Sequence, residues 1–338
     1  MEHKKVANDI VAKALNTGDT VPFGRWRLAC RSLLDIHEKR REAGVASLAR
    51  QRLIEIIDEG AEPKALADAG ETLGWLGDTR KLQTFAAIEG GDYDLEELGP
   101  HTIEPFEISR YPVTNSWFAE FKAAGGYTTE SFWSPEGKKW RQQNTPEQPM
   151  FWDERRWKCP NAPVVGVCWY EADAFCRWLT TEQKDGHTYF LPSEVQWQAA
   201  AAGNEKRKYP WGKEITPDHC NYDDTKLEKT SAAGIFKIGQ TPEGVADLAG
   251  NVWEWTASDY HRKLVVEDFE YDTNLEELYR KKDLKKYIAA LEDKKRKIPV
   301  LRGGSLIHYS ARLPLRGPLL LRLPEHPHLT LGFRCARI

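Results

Sequence analysis

The residues of this chain that could carry chemistry are scattered. Its cysteines, Cys30, Cys159, Cys168, Cys176, Cys220 and Cys335, contain no CxxC pair, which argues against a zinc knuckle or a dense disulfide scaffold. His326-Pro-His328 has the spacing of a metal-ligand pair but reads more simply as surface contacts. Gly303-Gly304 lacks the following lysine and helix of a phosphate cradle, so it reads as a structural turn. No Ser–His–Asp arrangement follows from residue order. Chemistry therefore depends on which of these residues the fold brings together.

The elements that must do so fall into two textures. Residues 1–85 are rich in Ala, Leu, Ile, Glu, Lys and Arg, and Leu33, Leu34, Ile36, Leu48, Leu53, Ile56 and Ile57 recur near helical spacing. Gly60 with Pro63, and Gly77 with Asp78, punctuate these helices. The expectation is a small helical N-terminal domain without chemistry of its own. From residue 86 to 338, Gly, Pro, Trp and Tyr rise and short β-type runs alternate with turns. A helix is predicted over about 170–181, and Ser193 with Gln196 has the spacing of a capping box that opens another. Residues 263–298 read as a polar insert carrying a solvated Glu/Lys helix. The fold class is α+β, with a twisted, partly antiparallel sheet.

Composition narrows the function. The hydrophobic fraction of 41% is enough for a sizeable core, and 13 Trp with 12 each of Tyr and Phe favour irregular, aromatic-packed structure. A net charge of −3 leaves no basic footprint, so nucleic acid is not an expected partner. No run approaches a membrane span, and Asn8-Asp9 breaks the apolar core that a secretory signal needs, so a cytoplasmic location is expected.

Seven segments then occur in order: Tyr111-Pro-Val-Thr-Asn115, Pro163-Val-Val-Gly-Val-Cys-Trp-Tyr-Glu-Ala172, Leu191-Pro-Ser-Glu-Val-Gln-Trp197, Tyr209-Pro-Trp-Gly212, Asp247-Leu-Ala-Gly-Asn-Val-Trp-Glu-Trp255, Leu301-Arg-Gly-Gly-Ser305 and Gly332-Phe-Arg-Cys-Ala-Arg337. This set resembles the formylglycine-generating-enzyme (sulfatase-modifying factor) family, a variant of the C-type lectin fold. The resemblance covers about residues 86–338. Fold alone does not carry function. Family members that oxidise cysteine have two reactive cysteines after the Gly-Gly-Ser motif, where thiolates bind copper. Here His308 and Leu313 stand at the matching positions. A related branch makes sulfoxides with iron held partly by a His-rich helical domain, whereas residues 1–85 offer only His3 and His37. The resemblance therefore implies a chain without the enzyme's chemistry, with neither copper nor iron expected. A metal-dependent oxidase or sulfoxide synthase, and a constant regulatory or structural module, are the alternatives.

The segment 306–331 holds nine Leu and four Pro and lacks Asn, Asp, Lys, Gln, Trp and Met. Pro314, Pro318, Pro324 and Pro327 exclude a helix and confine any strand to an edge. A surface loop bearing exposed leucines is the expectation, and an exposed apolar patch marks a binding site. The segment lies where variable proteins of diversity-generating retroelements, which the chain also resembles, place their hypervariable region. Of the five residue types that their codon randomisation forbids (Met, Trp, Gln, Lys and Glu), only Glu325 occurs. The expected ligand-contacting residues are Leu306, Ile307, His308, Tyr309, Leu313, Leu315, Leu319, Leu320, Leu321, Leu323, His326, His328 and Leu329, facing a protein or apolar ligand.

Two further expectations follow from the resemblance. Asp247, Gly250, Val252 and Glu254 match a calcium site of the family, and Asn221 a second one more loosely. The alternative is that Asp247 caps a turn and Glu254 pairs with a neighbouring base. Cys176 and Cys335 match positions that are disulfide-bonded in secreted relatives, so the fold should bring them within disulfide reach.

Overall fold

The computed structural model describes residues 2–16, 24–95, 98–259, 298–309, 313, 315, 320, 321 and 324–338. The polar insert expected over 263–298 lies, except for Ile298, outside the described residues.

Four helices form the N-terminal part: α1 (Glu2–Leu15), α2 (Gly24–Ser32), α3 (Ala43–Glu59) and α4 (Pro63–Leu76). Gly60 ends α3 at φ 83°, a conformation that favours glycine. Glu62 then caps α4 by accepting from the Lys64 amide at 2.9 Å, and Pro63 opens it. Ala49, Leu53, Ile56 and Ile57 of α3 are fully buried at helical spacing and pack on Leu15, Cys30, Leu33 and Leu73. Among the described residues, no helix is long and apolar enough to cross a membrane.

The cluster around α3 does not stop at the helices. Ala232, Ile235 and Phe236, far along the chain, belong to it. A Cβ at Gly70 of α4 would lie 2.8 Å from Ala232, and one at Gly74 would lie 2.3 Å from Asn161. Small residues on α4 thus admit the close approach of the larger part. Lys229–Glu71 at 2.7 Å and Lys237–Asp58 at 2.9 Å rim this junction.

The larger part begins at β1 (Phe85–Ile88). With β4 (Phe106–Ser109), β5 (Tyr189–Phe190) and β10 (Ala336–Arg337) it forms an antiparallel sheet ordered β1-β4-β10-β5. The hairpin β2 (Gly91–Asp94)–β3 (Pro100–Ile103) stands apart. A second sheet has the order β8-β7-β6-β9, from β6 (Trp253–Asp259), β7 (Pro299–Arg302), β8 (Leu320–Leu321) and β9 (Leu331–Phe333), with β6 and β9 parallel. The short strand β8 lies at the edge of this sheet, where the prolines of its segment confine it. Helices α5 (Asn115–Ala123), α6 (Pro135–Asn144), α7 (Trp169–Gln183) and α8 (Glu194–Ala202) surround these sheets. The predicted helix near 170–181 is α7, and the Ser193/Gln196 capping box opens α8 with both reciprocal bonds present.

Aromatic rings fill the space between α5, α7 and β9. Phe118 stacks on Phe175 at 5.6 Å, and Phe175 meets Phe333 edge-on at 5.3 Å and Trp117 at 5.4 Å. Each such pair contributes about 0.5–1.5 kcal/mol beyond its buried area. Arg334, just after β9, is wholly buried, with a bidentate ion pair to Glu254 of β6 at 2.6 and 2.7 Å. It also donates to the Ser109 and Ala246 carbonyls at 2.9 and 2.8 Å. One guanidinium thereby ties β4 and β6, one strand from each sheet, to the loop at Ala246.

Candidate functional site

The site is built on the turn after β7. Gly303 at φ 107° and Gly304 at φ 74° reverse the chain, and the Gly303 carbonyl accepts from the Gly250 amide at 3.2 Å. Ser305 is wholly buried and its hydroxyl lies 2.9 Å from His308 Nδ1. His308 also meets Trp253 edge-on at 5.2 Å. The imidazole is therefore oriented by the serine on one side and the indole on another. Backbone bonds fix the same stretch. The Leu306 amide donates to the Asn251 carbonyl at 3.2 Å, and the His308 carbonyl accepts from the Asp223 amide at 3.1 Å. Tyr309 beyond it is 65% exposed.

The leucines behave differently from expectation. Leu306, Leu313 and Leu315 are buried at 4%, 1% and 4% exposure, which corrects the reading of them as an open binding surface. Leu306 packs with Trp157, Val165 and Val252. Leu313 enters a pocket of Tyr209, Cys220, Tyr222 and Ala249. Leu315 joins the cluster that holds Trp197, Ala199 and Leu248. The backbone follows the side chains inward: the Leu315 amide donates to the Lys208 carbonyl at 2.9 Å, and Gln198 donates to the Leu315 carbonyl at 3.0 Å. Prolines bar a continuous strand here but not burial, because single backbone groups find partners elsewhere. Burying each leucine stabilises the fold by about 1.5–3 kcal/mol. All three pack on the larger part itself and not on the N-terminal helices. His328 is buried as well, its Nδ1 lying 2.9 Å from the Thr330 hydroxyl. Leu319 and Leu323 lie outside the described residues, as do the side chains of Leu320 and Leu321, whose backbone forms β8 against β7.

What remains open on this face is a smaller apolar set. Ile307 and Leu329 are half-buried and pack with Phe151 over Leu306, and Met150 beside them is 62% exposed. The Met150 amide donates to the Gly166 carbonyl, and the Gly166 amide to the His328 carbonyl, each at 3.0 Å, which holds the 150–151 loop against this segment. Sequence reasoning missed Met150 and Phe151. They lie some 150 residues from the Gly-Gly-Ser turn, and no local pattern marks the contact.

The carboxylates expected to bind calcium are occupied by protein donors. Glu254 takes Arg334 on both oxygens and the Trp197 indole at 2.7 Å. Asp247 accepts from the Gly234 amide at 2.7 Å, and burial raises its pKa. Asn221, in a separate loop, donates to the Lys229 carbonyl at 2.8 Å, and Gly250 and Val252, which follow Asp247, are buried. Glu254 thus sits in an ion pair, the alternative arrangement. Among the described residues, no group of three or more His, Cys, Asp or Glu is placed to hold a metal ion. Burial pushes the thiols of Cys30 and Cys159 up to about 12, and raises those of Cys168, Cys176 and Cys220 well above the ordinary range. Protonated, buried thiols are poor ligands and nucleophiles.

A family model for the sulfatase-modifying factor enzyme 1-like domain matches residues 77–338. The chain belongs to this family. Its fold is therefore the formylglycine-generating-enzyme type of α+β domain, preceded by helices. Similar proteins within the family differ in activity. The inactive C-alpha-formylglycine-generating enzyme 2 of Mus musculus is 34% identical over 194 residues, 47% of this chain and 60% of that protein. The hercynine oxygenase of Mycobacterium tuberculosis is 32% identical over 171 residues, 46% of this chain and 38% of that protein. The formylglycine-generating enzyme of Thermomonospora curvata is 32% identical over 199 residues, 47% of this chain and 63% of that protein. The matches span less than two thirds of each of these proteins. Among solved structures, Treponema denticola variable protein 1 aligns with a TM-score of 0.47 at 18% identity, over 75% of this chain and 94% of that one.

Proposed function

We propose that this chain is a non-catalytic, ligand-binding member of the family, which meets a protein or apolar ligand with the face that follows the Gly303-Gly304-Ser305 turn. One observation carries the reading. Of the two positions that match the oxidases' cysteines, Leu313 is 1% exposed inside an aromatic pocket and His308 is tied to Ser305. No thiolate pair can form there. The similarity to a Mus musculus protein named as inactive supports the same reading. The contacting set consists of Met150, Phe151, Ile307, Tyr309 and Leu329, with His308 and His326 as polar groups. Variation of the retroelement kind is part of this proposal for the exposed positions, which a scaffold held by Arg334 and Glu254 tolerates.

Panning a random peptide library on the purified chain tests the binding claim. Apolar peptides should be enriched and should lose affinity for Ile307→Asp. No enrichment, or enrichment that Ile307→Asp leaves intact, contradicts it. The rival reading, an oxygenase, draws on the similarity to hercynine oxygenase. It predicts that protein loaded with Fe(II) or Cu(I) and desalted keeps one equivalent of metal, lost in His308→Ala, and consumes oxygen.

A further inference from the structure

A cavity of about 530 Å³ lies where α4 and the connector to β1 meet α5, away from the Gly-Gly-Ser face. Its volume is within the range of roughly 300–1,000 Å³ that holds small molecules. The floor is rigid. Arg80 holds Asp78 in a fork, with Nε at 3.1 Å from both carboxylate oxygens and Nη2 at 2.7 Å, and their side chains are only 11% and 6% exposed. Asn161 donates to Asp78 at 2.7 Å and to the Gly70 carbonyl at 2.9 Å, which locks the fork to α4.

The unused groups are charged and of both signs. Arg80 Nη1 has no protein acceptor among the described residues, and the exposed Lys81 has no carboxylate partner among them. On the α5 side, Glu120 is exposed and its carboxylate accepts from the Gln83 amide at 2.8 Å, its one side-chain partner among the described residues. The hydroxyls of Thr114 and Ser116, 3.0 Å apart, lie on the wall between. We propose that this cavity binds a small zwitterion of the amino-acid class, its anionic end met by Lys81 and Arg80 and its cationic end by Glu120. A simple anion would leave Glu120 opposed to it, and an apolar ligand would strand every charged group on the wall.

Because the cavity joins α4 to α5, its ligand bridges the N-terminal helices and the family domain, and binding should raise the melting temperature. The test titrates the full chain calorimetrically with the standard L-amino acids, and with inorganic phosphate, at millimolar concentration. At least one amino acid should bind saturably. Lys81→Ala and Glu120→Gln, both at exposed positions, should each weaken it by about tenfold. Lys139→Ala, on the exposed side of α6, should not. The proposal is overturned if no amino acid binds, if phosphate binds as well as any of them, or if the affinity survives both variants.

Discussion

Arg334 and Glu254 form a bidentate ion pair in which neither side chain has any exposed surface. Two charges so placed depend on each other, since either one alone would be stranded in an apolar interior. Arg334→Met should therefore destabilise the protein by about 3–5 kcal/mol. Urea denaturation measures this, and the double variant Arg334→Met, Glu254→Gln should recover part of the loss. With Glu254 committed in this way, a chelator should leave the melting curve of the wild type unchanged.

Cys176 and Cys335 are free thiols with their sulfurs 3.7 Å apart, one on α7 and one between β9 and β10. A mild oxidant should link them with little backbone movement. The bond would close a span of 159 residues. By constraining the unfolded chain, the bond would stabilise the oxidised protein against unfolding by about 5 kcal/mol, less any strain. Mass spectrometry of alkylated protein should show the pair protected together, and the melting temperature should rise. A melting temperature that falls on oxidation would show that strain outweighs the entropic gain.

Glu171 gives the protein a pH-dependent weakness. It is buried at the start of α7, accepting from the Tyr127 hydroxyl at 2.6 Å and the Cys168 amide at 2.7 Å, and burial pushes its carboxyl up to about 7 from the ordinary 4.5. A folded-state value above the unfolded one favours folding fully below the unfolded pKa, and that contribution is lost as pH rises through about 7. Glu171→Gln does not titrate. The stability of the wild type should therefore fall relative to Glu171→Gln between about pH 5 and pH 8, by on the order of 3 kcal/mol. Parallel stability curves for the two proteins across that range would refute the assignment.

Leu313 and Tyr309, four residues apart, should respond in opposite ways. Leu313 is 1% exposed and Tyr309 is 65% exposed. Leu313→Ala should cost about 2–5 kcal/mol through the cavity it leaves. Tyr309→Ala should change stability by no more than about 0.5 kcal/mol. If Tyr309→Ala proves the more destabilising, Leu313 does not occupy the aromatic pocket in solution.

The family fold was legible in the sequence because its segments are local and ordered. Ser193 and Gln196 specify a helix start through bonds three residues apart, and α8 begins there. Gly60 and Pro63 separate α3 from α4 by backbone geometry alone. The absence of cysteine between Ser305 and Gly332 could also be read directly.

Burial of the leucine-rich segment could not be read in this way. Composition and proline spacing describe what a segment can do by itself, and by themselves they favour an open loop. Whether Leu313 faces water depends on Tyr209, Cys220, Tyr222 and Ala249, which lie between 64 and 104 residues away along the chain. The same holds for Glu254, whose partner depends on where Arg334 comes to rest, 80 residues later. Sequence alone determined the local elements, their order and the absence of cysteine between Ser305 and Gly332, because those are properties of neighbouring residues. The tertiary structure decided which side chains are buried and which charges are paired, because burial and pairing are energies of contact between distant parts of the chain.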